Sequence, residues 1–412
     1  MLLSLLFLPC VSLFAQNNTS RRGDYLTLKI AVIGPGDELY FWWGHIGLIV
    51  EDRISGTTRF FDWGVFSFDN ENFFVNFAFG RLIYSCMVSP AELNYDIYTH
   101  TNRDITLYTL DLPTEKKDEV IRFAENNMLP ENRDYNYHHF RDNCATRIRD
   151  IIDMALGGQL KEEFGRERGR FTLRQHVRRH TWVNPFIDWG LNFLMGQDID
   201  RPITVWDDMF LPSEIAMLIK DYHYTDSTGN NRPLVSSVET INTSHGRPGV
   251  LDTPRIQWPF ELLIGVLFSI LVLSLYLIGG GKKGYRIFIG LSQSFFGLFF
   301  GLAGSMLFFM SFFTDHDYTY HNINVLFVNP LFFAAIPLGI SFAFTADKKR
   351  RFVAARLLRV FWTCVLMGGL LTMAIKLFPA FYQQNQVTQA LVLPVALTMI
   401  ITIHRISKKE QL

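Results

Sequence analysis

Cysteine is scarce in this chain, with four residues in 412. Cys10 falls in an apolar N-terminal stretch and Cys364 in a later apolar run, so Cys86 and Cys144 are left for the water-facing part. An excess of charge of either sign is missing as well. Lysine plus arginine number 39 and aspartate plus glutamate 39, so the bulk field predicts no nucleic-acid partner. The adjacent His138 and His139 lack the Cys, His and carboxylate spacing of a zinc motif, so no metal is expected. Repeats and low-complexity tracts are absent, and the length suffices for two domains.

Phenylalanine is what the chain has in excess, 38 residues, concentrated toward the last third. That is a membrane composition rather than a second soluble core. Residues 1–15 read as a signal peptide ending at Ala15; the missing basic n-region leaves an uncleaved anchor as the alternative. Five apolar stretches follow residue 255, at 258–279, 285–312, 323–345, 353–375 and 387–404. Each is near the ~20 residues that cross a bilayer as a helix. Basic loops follow the first, third and fifth, and non-basic loops the second and fourth. The positive-inside rule therefore puts 16–255 outside and the C-terminus inside. The domains read as a leader (1–15), an exported domain (16–224), a linker (225–257) rich in Ser, Thr, Asn, Gly and Pro, and a membrane domain (258–412).

The exported domain opens with β-formers at 25–33, a hairpin from 45–51 and 58–65, and a further strand within 104–112. A helix is expected over 114–127 with Thr114 as its N-cap. A second starts at Asp142 or Asn143, buries Ile148, Ile151 and Ile152, and stops at Gly157-Gly158. Cys144 then sits in its first turn, where free N–H groups and the helix dipole favour a thiolate. The arginines at 166, 168, 170, 174, 178 and 179 read as a solvated face, or else as a grip on lipid phosphate. The aromatic run from Phe61 to Phe79 reads as core, or else as an apolar face for acyl chains or the bilayer.

A thiol enzyme needs a base within hydrogen-bond reach and a group that orients the base. Cys144 and His45 supply the first two. Asp62 is the candidate orienter, on the strand paired with that of His45, if the register cooperates. The Cys144 backbone N–H is the candidate oxyanion donor. Tyr137, Asn143 and Arg147 lie close enough in sequence to bind substrate. His316 and Asn324, at the outer edge of the third apolar stretch, are candidates for a lipid headgroup. A thiol acyl-enzyme beside a membrane suggests acyl transfer.

Trp43-Gly44-His45-Ile46-Gly47-Leu48, Phe61 to Asp69, Asp142-Asn143-Cys144-Ala145-Thr146-Arg147 and Asn322 to Pro330 together resemble the Lnb family. That resemblance implies an α+β fold, a permuted papain-like domain of the NlpC type in the periplasm, followed by five transmembrane helices. It implies a lipoprotein N-acyltransferase of the inner membrane. An acyl chain would pass from a phospholipid through a Cys144 thioester to the α-amine of a diacylglyceryl cysteine on a lipoprotein. His45 would serve as base and then acid, without a cofactor. The role of Asp62 is inferred from strand pairing and not carried by the family. Two rivals stand beside this reading: a cysteine hydrolase (phospholipase or peptidoglycan peptidase) with the same dyad, and a binding protein in which Cys86 and Cys144 form a disulfide.

Overall fold

The computed structural model describes residues 21–68, 72–279 and 282–411. The expected leader and Asp69 lie outside them. The N-terminal part is built on an antiparallel seven-stranded sheet. Its strands are β1 (Leu26–Ile33), β2 (His45–Asp52), β3 (Thr57–Val65), β4 (Ile83–Pro90), β5 (Ile105–Leu110), β6 (Asp134–Asn136) and, beyond a small hairpin of β7 (His223–Thr225) and β8 (Asn231–Pro233), β9 (Val235–Asn242). The order across the sheet is β6-β4-β3-β2-β1-β5-β9.

Both faces of the sheet are covered, because alternate residues of each strand point to opposite sides. Between β3 and β5 come α1 (Phe73–Ala78) and α2 (Ala91–His100); α3 (Thr114–Asn127) and α4 (Cys144–Ala155) flank β6. On one face Ile46, Leu48, Phe61 and Trp63 pack with Val120 of α3 and Ile148 and Ile152 of α4. On the other, Ile49 and Phe60 pack with Ala91 and Tyr98 of α2. The expected helix over 114–127 is present, but Pro113 holds the cap position and Thr114 is the first helical residue. Proline suits the start of a helix because it has no N–H to satisfy, and the Thr114 hydroxyl is instead bonded to Asp24 at 2.8 Å.

The segment expected as a linker is structured. Its residues 235–242 form β9, which pairs with β5 and closes one edge of the sheet. An edge strand with mostly exposed side chains keeps the polar composition of a loop, so composition alone misreads it. The chain then runs along α6 (Leu173–Thr181), after α5 (Gln159–Phe164): Leu251 exchanges hydrogen bonds with Arg179 in both directions.

The basic stretch also departs from expectation. Arg166, Arg168 and Arg170 are exposed, but Arg174 is fully buried. Its guanidinium bonds Asp200 at 2.8 Å, the Asn192 side chain at 2.7 Å, and the Asn192, Met195 and Gly196 carbonyls. Arg179 pairs with Glu214 at 2.8 Å. These two neither face water nor reach lipid phosphate; a cation is tolerated inside only when its donors are spent.

After α7 (Pro185–Leu194), α8 (Val205–Asp208) and α9 (Pro212–Ile219) come five membrane-spanning segments: Trp258–Gly279 (α10), Lys283–Phe313 (α11), Ile323–Phe344, Lys348–Ile375 (α13) and the span from Gln386 in α14 (Gln386–Gln411). The third is not one helix. It begins as 3₁₀ turns at Ile323–Leu326 and Pro330–Ala334, and only Ala335–Phe344 (α12) is α-helical. Irregular backbone survives at membrane depth only where protein shields it. Gly304 allows this, since a Cβ there would come within 2.6 Å of the Asn329 Cα.

A buried polar junction ties the two parts together. Asn322 donates to the Phe193, Leu194 and Met195 carbonyls at the end of α7. Gln383 bridges Met195 and Asn322, and the Gln384 N–H donates to Asp200, the partner of Arg174. Replacing Arg174 by methionine leaves Asp200 without its guanidinium, a loss of about 3–5 kcal/mol for such pairs. Thermal unfolding of the full chain in detergent should then show a midpoint lower by roughly 5 °C or more. An unchanged midpoint would contradict this role for the junction.

Candidate functional site

The site forms where β2 begins and α4 begins, at one end of the sheet. Asn143 caps α4: its extended backbone lets the side chain accept from the Thr146 N–H at 2.9 Å, while the Thr146 hydroxyl accepts from the Asn143 N–H at 2.8 Å. Cys144 is therefore the first helical residue, beside first-turn N–H groups that have no carbonyl partner within the helix. It is buried and its thiol is free, as is that of Cys86. No Cys86–Cys144 disulfide exists.

His45 is the first residue of β2. The β2–β3 register sets Gly47 opposite Asp62, so Asp62 is the diagonal neighbour of His45 on the same face of the sheet. The imidazole Nε2 and the Asp62 Oδ1 lie 2.7 Å apart, which leaves Nδ1 for a second partner. Cys144 comes from the α4 side at the same end. Gly64 lies two residues beyond Asp62 on β3, and a Cβ on it would stand 3.6 Å from the Cys144 Cβ. Gly64 has φ +94°, a left-handed conformation that side chains disfavour, so the backbone rather than a lack of space calls for glycine there.

The electrostatics set a contest at His45. Burial pushes its pKa down. The Asp62 carboxylate, followed by the Tyr98 phenol and the Cys144 thiol, pushes it up, and the outcome lies well above the ordinary value. The imidazolium thus persists to higher pH than in a free histidine. Cys86 is the opposite case. Burial, with Asp62 nearby, pushes its thiol up to about 12, and its sulfur contacts Met128. Of these two thiols, that of Cys144 is the one that acts electrostatically on His45.

The remaining expected residues divide. Tyr137 stands at the thiol: its Cε2 would lie 3.4 Å from a Cβ on Gly64, and burial followed by Cys144 raises its pKa strongly. Asn143 and Arg147 hold the site rather than enter it. The Asn143 amide donates to the His139 and Phe210 carbonyls, and Arg147 makes a two-pronged bond to Asp142 and lies over the Tyr135 ring. His316 is occupied by the Phe77 carbonyl and the Tyr318 hydroxyl. Asn324 is fully buried, between the Phe193 carbonyl and the Asn385 amide. It is not brought to the site, because its polar atoms are needed to close the junction. His138 pairs with Asp317 at 2.8 Å, which docks the loop after α11 onto the segment leading to Cys144.

Tyr98 and Arg103 escaped the sequence reading. The Tyr98 ring lies 6.4 Å from that of His45. Arg103, buried, stacks over Phe41 and Tyr98 and donates to the Gly34 carbonyl. No local pattern marks either one, since their contacts join segments far apart in the chain.

The family model described as the Lnb N-terminal periplasmic domain matches residues 15–179, and that described as the Lnb transmembrane domain matches residues 256–411. A comparison with curated proteins finds no match, and a comparison with solved structures finds none.

Replacing Asp62 by asparagine removes the charge that offsets burial at His45. The imidazole then loses its proton at lower pH. In full-length protein lacking Cys10 and Cys364, iodoacetamide should label Cys144 about tenfold or more slowly at pH 7 after the change. Equal rates would remove Asp62 from the arrangement.

Proposed function

Because the chain belongs to the Lnb family, we propose that this multi-pass membrane protein is a cysteine-dependent lipoprotein N-acyltransferase. The observation that carries the reading is the free Cys144 at a capped helix start, at the end of the sheet where Asp62 holds His45. The Cys144 thiolate attacks an ester carbonyl of a phospholipid. The tetrahedral oxyanion is met by N–H groups of the first turn of α4, that of Cys144 among them. As the ester C–O bond breaks, His45 gives its proton to the departing lysophospholipid oxygen, leaving a thioester and a neutral imidazole. The α-amine of a diacylglyceryl cysteine then attacks the thioester. His45 takes the amine proton, the C–S bond breaks, and an amide remains beside the regenerated Cys144 thiolate and His45 imidazolium. Donor and acceptor therefore bind in turn.

The arrangement of histidine before cysteine, with the cysteine opening a helix that packs on the sheet, supports a permuted papain-like relationship. The alternation of basic and non-basic loops supports an inner-membrane protein with the sheet domain in the periplasm and the C-terminus in the cytoplasm. Tethering keeps the site beside two lipid-anchored substrates, which raises their effective concentration.

Cells lacking this protein, supplied with the native form or with Cys144→Ala, provide the test. Mass spectrometry of a lipoprotein N-terminal peptide should show a third acyl chain with the native form and two with the variant. Identical peptides would overturn N-acylation; release of free fatty acid instead would assign a phospholipase.

A further inference from the structure

The aromatic run of the N-terminal domain splits in two. Phe60, Phe61 and Trp63 are core, whereas Phe68, Phe74, Val75 and Phe77 are 47–70% exposed. This exposed set surrounds α1, whose sequence Phe-Phe-Val-Asn-Phe-Ala carries no charge. A contiguous apolar surface of this kind on a water-facing domain marks an interaction site.

Its position identifies the occupant. α1 is pinned to the outer end of the second membrane span. Phe79 meets Phe309 of α11 edge-on at 5.5 Å. The Asp315 N–H, just past α11, donates to the Phe79 carbonyl, and Arg81 pairs with Asp315 at 3.1 Å. The rings of α1 thus continue the apolar belt of the spans, at the level where aromatic side chains settle in a bilayer interface.

From there a file of rings runs inward. Phe77 neighbours Phe73 at 6.1 Å between centroids, and Phe73 stacks on Phe66 at 5.8 Å. Phe66 stacks on Tyr84 at 4.9 Å, and Tyr84 on Tyr137 at 4.3 Å. Tyr137 ends the file beside Gly64 and Cys144. We propose that α1 lies in the outer leaflet and that this file of rings is the binding track of one phospholipid acyl chain, from the bilayer to the Cys144 thiol. The assignment of the chain as acyl donor rests on the acyl-transfer reading; the presence of lipid on the track does not. A partner protein docked on α1 would cover the exposed end but has no reason to follow the rings to the thiol.

The test uses the full chain bearing Cys144→Ala, so that lipid stays intact, in vesicles of phosphatidylethanolamine and phosphatidylglycerol. A fraction of the phosphatidylethanolamine carries a diazirine near the end of one acyl chain. After irradiation, mass spectrometry should find lipid adducts on the peptides containing Phe66 to Tyr84 and Tyr137. Joint Phe74→Glu and Phe77→Glu changes, at exposed positions, should lower the Tyr137 adduct about tenfold or more while adducts on the membrane spans persist. Adducts confined to residues 258–411, or a Tyr137 adduct insensitive to both changes, would overturn the track. Adducts on the track in a protein whose native form leaves lipoproteins unchanged would keep the track and reject N-acylation.

Discussion

A guanidinium inside a protein must have its donors satisfied, and Arg174 shows how much of this molecule follows from that demand. Its partners come from α7, from the turn after it, and from Asp200, which also holds the loop before the last span. Asn322 and Gln383 extend the same network. A sheet domain built for water is thereby fixed on a bundle built for lipid through directional bonds rather than through a flexible tether. These bonds hold the sheet domain directly against the five spans.

Within the domain, two cysteines of the same core illustrate how surroundings decide chemistry. Cys86 is wrapped in apolar groups and faces a thioether, so its proton is held tightly. Cys144 shares that core but opens a helix, and its thiol, after the Asp62 carboxylate, is among the groups that raise the pKa of His45. Burial strengthens the second arrangement, because a carboxylate acts on an imidazole more strongly when water is excluded. The loop after α11 docks, through Asp317, on His138 and Arg141 of the segment that leads to Cys144.

Much of this was legible in the sequence. The hairpin of β2 and β3, the helices α3 and α4 and the five spans follow from periodicity, turn residues and apolar length, and of the two cap candidates Asp142 and Asn143 the structure uses Asn143. The contact of Asp62 with His45 depended on a register that no local pattern determines; the observed Gly47–Asp62 pairing brings the two together. What stayed hidden is long-range. The strand β9 looks like a loop because an edge strand may stay polar. Arg174 looks solvated because its partners lie between 18 and 26 residues away. Asn324 looks like a headgroup ligand until its amide is found closing a junction. The aromatic run held two roles at once, core and exposed surface, and only the fold separates them.

The central claim is that Cys144 carries the acyl chain between two lipids, and it is tested most directly by looking for the thioester itself. Native full-length protein would be mixed with phospholipid vesicles, without acceptor, and its intact mass measured before and after neutral hydroxylamine. The account predicts one added acyl chain, located on Cys144 and removed by hydroxylamine. An unmodified thiol, or an acyl group at another residue, would contradict it.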